Sequence, residues 1–339
     1  MKRKGNLFLS FASFENLWSA WQKAAKGSRH STACSEYGFY AEHYIFNLRE
    51  RILQGTYKPG FYHCFTIKDP KERIISVAPF EDRIVHHALV NILEPIYERI
   101  FDYHSYATRK GKGTHKAILQ AQTYMKKYEW FLKMDIRKYF DSVDHAVLKG
   151  ILERKIKDEK FLRVLFAVLD NAGAEGKGIP IGNLTSQFLA NVYLDQADHY
   201  FRQTFSALPF VRYMDDIVVF GNSKDILKEL KIRVEGFLDT CLKLLLKKEA
   251  TQINRCVNGI SFLGARIYRS VIRIHPKTLK LSTQTLNKRK WEYRHHLIDL
   301  NKYGDVLQSI VAHISWFDTR ALRKKMIIEG KRYLEAPTA

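Results

Sequence analysis

Cysteine is scarce in this chain of 339 residues. Cys34, Cys64, Cys241 and Cys256 stand scattered, and no Cys-x-x-Cys pair occurs. Neither a zinc knuckle nor a disulfide framework is supported, and a reducing cytoplasm is the simplest setting. Long apolar runs are missing too. No stretch approaches the ~18 residues of a membrane span, so none is expected. The start, Met1-Lys2-Arg3-Lys4 followed by Asn6-Leu7-Phe8-Leu9-Ser10-Phe11, mimics a signal peptide. Its apolar run is broken by Asn6, Ser10 and Ser13 and stopped by Glu15, which fits a basic tail and a short amphipathic helix instead. There is no internal repeat, no low-complexity tract and no His-Asn-His signature. Acidic residues are the other shortage: 35 Asp and Glu stand against 56 Lys and Arg, a net charge of +21. Such a surplus suits a polyanion, whose neutralised phosphates release counterions. At 46% hydrophobic, the chain can bury a substantial core, and its length suggests two or three domains.

Against this background, one pair of acids stands out. Arg212-Tyr213-Met214-Asp215-Asp216 runs straight into Ile217-Val218-Val219-Phe220. Adjacent carboxylates between short apolar, β-prone runs read as a hairpin with acids at its turn. They repel each other and are stable there chiefly with a cation beside them. Earlier, Trp130-Phe131-Leu132-Lys133-Met134 reads as a strand delivering Asp135 at its end. Three carboxylates on neighbouring strand ends would hold two Mg²⁺ about 3.5–4 Å apart, the layout for in-line attack on phosphorus.

The pattern resembles the palm of reverse transcriptases, and further blocks carry the resemblance from about residue 60 to about 270. Arg73-Ile74-Ile75-Ser76-Val77-Ala78-Pro79-Phe80-Glu81-Asp82-Arg83 resembles the fingers motif of the bacterial enzymes. Tyr106-Ala107-Thr108-Arg109-Lys110-Gly111-Lys112-Gly113-Thr114 resembles the next block. Asp135-Ile136-Arg137-Lys138-Tyr139-Phe140-Asp141 resembles the first catalytic block, and Gly259-Ile260-Ser261-Phe262-Leu263-Gly264 the primer-contact block. One block is more selective. Residues 179–187 read Ile-Pro-Ile-Gly-Asn-Leu-Thr-Ser-Gln, with Ile181-Gly182 where most relatives carry Gln-Gly and Ser186-Gln187 where they end in Ser-Pro. That departure is similar to the reverse transcriptases of diversity-generating retroelements, which copy a template RNA into cDNA with errors concentrated at adenines. A retron-type or group II intron-derived enzyme of ordinary fidelity is the alternative, and a catalytically silent RNA-binding protein on a polymerase fold is another.

The resemblance implies a right-hand polymerase of α+β class, with an antiparallel palm backed by helices and a helical thumb. Asp135, Asp215 and Asp216, with the Ile136 carbonyl, would hold two Mg²⁺. Arg73, and more weakly Lys68, would clamp the triphosphate, since a guanidinium fork suits phosphate oxygens. The backbone amides of Lys138 and Tyr139 would meet its β- and γ-phosphates. Phe140 would exclude a ribose 2′-hydroxyl, and Ile181, Gly182 and Gln187 would complete the dNTP pocket. Phe262, Leu263 and Gly264 would contact the primer. The segment Leu242–Thr251 lacks the family's glycine and has Ala250 where a lysine is expected, which leaves the proton donor to pyrophosphate unassigned. The implied partners are dNTPs, a template-repeat RNA, its RNA/cDNA duplex and a basic accessory variability protein forming a pentamer.

Along the chain, residues 1–30 are expected to form an N-terminal extension, 31–128 the fingers, 129–270 the palm (with part of the fingers at about 145–178) and 271–339 the thumb. Helix starts are expected at Asp82, at Ser142 or Asp144, at Thr185 or Ser186, and at Ser223. Beyond 270, lysines and arginines including Arg289, Lys290, Arg294, Lys325, Lys331 and Arg332 stud a helical region with Trp291, Tyr293, Tyr303, Trp316 and Phe317. They are expected to grip a nucleic-acid duplex. No ribonuclease H, endonuclease or integrase domain is expected within these residues.

Overall fold

The computed structural model describes residues 3–28, 31–68, 72–171 and 176–324. Its centre is a four-stranded antiparallel sheet of β3 (Trp130–Asp135), β4 (Phe210–Tyr213), β5 (Asp216–Gly221) and β6 (Gln252–Arg255), in the order β4-β5-β3-β6. Two further strands precede it, β1 (His63–Lys68) and β2 (Glu72–Val77), which form a separate antiparallel ribbon. Three short strands follow it in another small sheet: β7 (Ile260–Phe262), β8 (Ala265–Ile267) and β9 (Ile272–Ile274).

The near-continuous apolar run of β5 is explained by cover on both faces of the sheet. Ile217 and Val219 join Leu132, Met134 and Phe210 in one core, shared with helices Leu184–Thr204 and Lys224–Leu242. Val218 and Phe220 join Phe131 and Val211 in a second core under helix Thr114–Lys127. That second core also takes in Leu286 of helix Pro276–Arg294, and Tyr303 and Ile314 of helix Leu300–Ser315. The C-terminal basic helices therefore rest on the sheet's second face. At their far end Trp316 stacks on His115, ring centroids 4.3 Å apart. Lys325, Lys331 and Arg332 lie outside the described residues, as do the Asp69-Pro70 turn and Gly173.

Residues 3–28 are built into the main core. Ser13 caps helix Phe14–Ala25 by accepting from the Asn16 amide, and Leu17 is buried against helix Phe80–Tyr97. Asp158 accepts from the amides of Leu7 (2.6 Å) and Phe8 (2.9 Å) while capping helix Glu159–Asp170 through Phe161. These bonds hold its carboxyl below the usual range, against the opposing effect of burial.

Two expected helix starts shift. The helix expected to open at Asp82 begins at Phe80, because Asp82 is buried and accepts from the Tyr57 hydroxyl and the Gly60 amide, each at 2.7 Å. Asn183, rather than Thr185 or Ser186, precedes helix Leu184–Thr204. Asp144 and Ser223 cap as expected. His86 is buried on its helix, and burial pushes its imidazole down to about 4, so it is neutral there. Among the described residues no helix is long and apolar enough to cross a membrane.

Candidate active site

The acidic pair lies where β4 turns into β5. Tyr213 pairs with Asp216, which leaves Met214 and Asp215 as a two-residue turn. Met214 has φ of 52°, and positive φ at the first central position is the mark of a type II′ hairpin. Glycine is the usual residue there, so methionine holds a strained backbone that its surroundings must maintain. Across the sheet, Asp135 pairs directly with Asp216. Three carboxylates thus share one end of the sheet.

Their electrostatics show the crowding. Burial, then repulsion from Asp135 and Asp216, pushes the Asp215 carboxyl up to about 6, while the Arg73 guanidinium opposes the rise. Asp216 Oδ1 lies 3.3 Å from the Lys133 ammonium, which also donates to the Ser261 carbonyl at 3.0 Å. Among the described residues no three carboxylate, imidazole or thiolate side chains are already gathered around one metal position. The donor chemistry nevertheless suits a hard divalent cation: three carboxylates, one of them raised by burial and by repulsion from the other two. Ile136 is buried and bridges to Leu246. The Lys247 amide donates to the Asp135 carbonyl (2.7 Å), and the Arg137 amide to the Leu245 carbonyl (2.8 Å). The chain leaving β3 is thereby clamped.

Lys138 has φ of 45° and opens the short helix Tyr139–Ser142. Tyr139 is buried, its hydroxyl bonded to the Ala190 carbonyl. Phe140 is half-buried against the main core, and its carbonyl accepts from the Ile179 amide at 2.8 Å. Two residues further on, the chain meets the ribbon. The Ser76 amide donates to the Ile181 carbonyl (2.9 Å), and the Asn183 side chain donates to the Ser76 carbonyl (3.0 Å). Between them Gly182 has φ of 118°, and a Cβ there would sit 3.0 Å from Ile75 Cγ2 and 3.2 Å from the Ser76 carbonyl oxygen. Gln187 is half-buried in the first turn of the following helix.

Arg73, on β2, is therefore close enough for its charge to act on Asp215. Lys68, paired across the ribbon with Glu72, reaches that exposed carboxylate at 3.7 Å instead. Phe262, Leu263 and Gly264 form the β7–β8 turn, with Leu263 at φ 49° and Gly264 at φ 77°, the type I′ pattern. Arg289 pairs with Glu292 (2.6 Å) near the end of helix Pro276–Arg294, which also carries Lys290 and Arg294. Two charged residues beside the turn escaped sequence reasoning. Lys133 reaches Asp216 only because β3 and β5 are in that register. Arg212, inside an apolar strand, is wholly buried. Its one signal was a charge in a run where burial leaves no room for an unpaired one.

Comparison with known proteins agrees with this geometry. Residues 66–267 match the family described as reverse transcriptase (RNA-dependent DNA polymerase). The chain is 26% identical over 269 residues to protein YkfC of Escherichia coli, covering 66% of this chain and 70% of that one. It is 24% identical over 349 residues to the group II intron-encoded protein LtrA of Lactococcus lactis, covering 82% of this chain and 58% of that one. It is also 28% identical to the putative COX1/OXI3 intron 2 protein of Saccharomyces cerevisiae, covering 57% of this chain but only 30% of that one. The chain thus spans little more than half of LtrA and under a third of the yeast protein. Solved structures give remote likenesses. One is the truncated apo telomerase of Candida tropicalis (TM-score 0.47, 13% identity, 64% of this chain and 55% of that one). Another is a Sicinivirus RNA-dependent RNA polymerase (TM-score 0.48, 14% identity, 78% of this chain and 65% of that one). With most of its length matched, and its acids at the end of a helix-backed antiparallel sheet, the chain has the right-hand polymerase fold and belongs to the reverse transcriptase family, the RNA-dependent DNA polymerases.

Proposed function

We propose that this chain copies an RNA template into DNA as the reverse transcriptase of a diversity-generating retroelement, misincorporating chiefly opposite template adenine. The observation that carries the finer reading is the segment Ile181-Gly182-Asn183, fastened by the Ile181 carbonyl and the Asn183 side chain to Ser76 of the ribbon that bears Arg73. The nucleotide pocket would lie between that ribbon and the acids. A Gln amide at 181 could bond the incoming sugar and nearby backbone, and so fix the nucleotide's angle. Ile offers apolar contact and a stiff branch. With less orientation energy a mispair loses less relative to a correct pair, about tenfold in discrimination per ~1.4 kcal/mol.

Asp135, Asp215 and Asp216, with the Ile136 carbonyl, would hold two Mg²⁺, which when bound lower the pKa of the primer 3′-hydroxyl and neutralise developing oxyanion charge. Arg73 binds the triphosphate through its fork, and the amides of Lys138 and Tyr139 orient the β- and γ-phosphates. Phe140 fills the space of a 2′-hydroxyl. Phe262, Leu263 and Gly264 support the primer end, and the basic helix with Arg289, Lys290 and Arg294 grips the duplex. The cognate RNA carries the template repeat, and the accessory partner is a basic pentamer.

Deep sequencing of cDNA made by the wild type and by Ile181→Gln, on one adenine-containing RNA with defined flanks, tests the proposal. Errors should concentrate at template adenine, and the substitution should change them there more than at other bases. The double variant Asp215→Asn/Asp216→Asn should make no cDNA while still binding RNA. Synthesis that survives in it would remove catalysis from this turn. A second reading has its own support: the similarity to intron-encoded proteins such as LtrA favours an enzyme of ordinary fidelity. Uniformly low errors in the wild type select that reading.

A further inference from the structure

Arg212 sits two residues before the catalytic turn and is wholly buried, as is its partner Asp198. The guanidinium meets that carboxylate in a fork: Nε donates to Oδ1 at 2.7 Å and Oδ2 at 2.9 Å, and Nη2 to Oδ2 at 2.5 Å. The remaining arm is what matters here. Nη1 donates to the Met214 carbonyl at 3.3 Å and to Asn191 Oδ1 at 3.1 Å. Asn191 in turn donates to the Ala107 carbonyl (2.7 Å) and the Thr108 hydroxyl (2.9 Å), so its amide cannot drift. The main chain of Arg212 is fixed as well: its amide donates to the His104 carbonyl at 2.8 Å and its carbonyl accepts from the Tyr106 amide at 2.9 Å.

A buried ion pair is a poor source of stability, since desolvation offsets most of the attraction and apolar replacement of the whole pair is often neutral. Its presence beside a strained turn calls for another explanation. Met214 holds a left-handed backbone that a non-glycine residue leaves readily unless something holds it. The Nη1 bond fixes the carbonyl of that residue, and so the peptide leading into Asp215. A lysine could pair with Asp198 but has no rigid fork to reach Met214 and Asn191 at once.

We propose that Arg212, oriented by Asp198 and Asn191, is a positioning residue that sets the backbone of the Met214–Asp215 turn, so that the carboxylates are presented to divalent ions. This rests on the polymerase reading for its kinetic part only, because ion binding at the turn is measurable without catalysis. The test uses the full chain as wild type, as Arg212→Lys, and as the uncharged pair Arg212→Met/Asp198→Leu, which stays folded if packing alone were needed. Mn²⁺ binding is titrated by electron paramagnetic resonance, the turn's site being the binding lost in Asp215→Asn/Asp216→Asn. Steady-state primer extension is followed in parallel.

Both variants are expected to bind Mn²⁺ at the turn at least about tenfold more weakly, as when a ligand's supporting bond is removed. Extension kcat should fall about a hundredfold, the effect of small misplacement of reacting groups. The KM for primer–template should stay within about twofold. A folded variant that binds Mn²⁺ and extends like the wild type overturns the proposal. So does a loss in which primer–template KM rises in step with falling stability, since that is what a structural role alone produces. Wild-type protein that binds Mn²⁺ but never extends a primer would sink the polymerase reading instead, while the Mn²⁺ comparison still decides the role of Arg212.

Discussion

Asp215 gives up its proton less readily than a free carboxyl, and that has a measurable sign. Its carboxyl, ordinarily near 3.8, is raised to about 6 in the folded chain by burial and by its two acidic neighbours. The folded state therefore holds this proton more tightly than the unfolded one. Stability from this group is present below about pH 4, declines as pH rises to about 6, and is absent above. At 1.36 kcal/mol per unit the penalty at pH 8 is on the order of 2–3 kcal/mol. Asp215→Asn should raise the thermal midpoint of the metal-free protein at pH 8 and change it little at pH 4, with Mg²⁺ narrowing the gap. Calorimetry giving the same difference at both pH values would refute this. Phe140 makes the second prediction at this scale. Phe140→Ala should admit rNTPs markedly better, read as the ratio of kcat/KM for dNTP and rNTP. Because the ring packs on the main core, the variant should also lose about 1–3 kcal/mol of stability. Lost stability with an unchanged ratio would make the ring a packing residue only.

Among the elements, the ribbon β1–β2 and the segment 181–183 form one joint. In Gly182→Ala the new methyl meets Ile75 Cγ2 and the Ser76 carbonyl oxygen, on a backbone at φ 118°. The ribbon must move or the segment must twist, at a cost of about 1–3 kcal/mol. Since the ribbon carries Arg73, the KM for dNTP should rise while that for primer–template holds. Both rising together would place the damage elsewhere. Legibility is decided at this scale too. β3 and the β4–β5 hairpin were readable because their runs are apolar on both faces and end in acids. The starts of two helices were not, because Asp82 spends its oxygens on Tyr57 and Gly60, and Asn183 its amide on Ser76. Local capping rules give way when a side chain has a long-range partner. That three acids would meet at one end of the sheet could be read from the apolar runs that flank them. The Lys133–Asp216 and Arg212–Asp198 pairs could not, since each depends on which residues a fold brings opposite one another.

For the whole molecule, the +21 charge is expected to act as a binding term. Each phosphate neutralised should contribute about −0.7 to −0.9 to the slope of log affinity against log salt. Binding of the cognate RNA should weaken steeply with added salt, and reversing charge at Arg289, Lys290 and Arg294 should flatten that slope. A salt-insensitive complex would take the grip away from these helices. Their position is tied to the acids by a short route. Thr114 bonds the Tyr213 hydroxyl at 3.2 Å, and its neighbour His115 carries the stack with Trp316.

The bond between Ser76 and position 181 is made by main-chain atoms, and a main-chain bond is blind to the side chain that rides on it. Its two neighbours have no such freedom: 182 is held to glycine by its backbone angle and by the strand beside it, and 183 uses its own amide. Of residues 181–183, position 181 is thus the one whose side-chain identity these bonds do not fix. On the proposed reading, a substitution at 181 would therefore alter copying accuracy while the bonds between the segment and the ribbon stay in place.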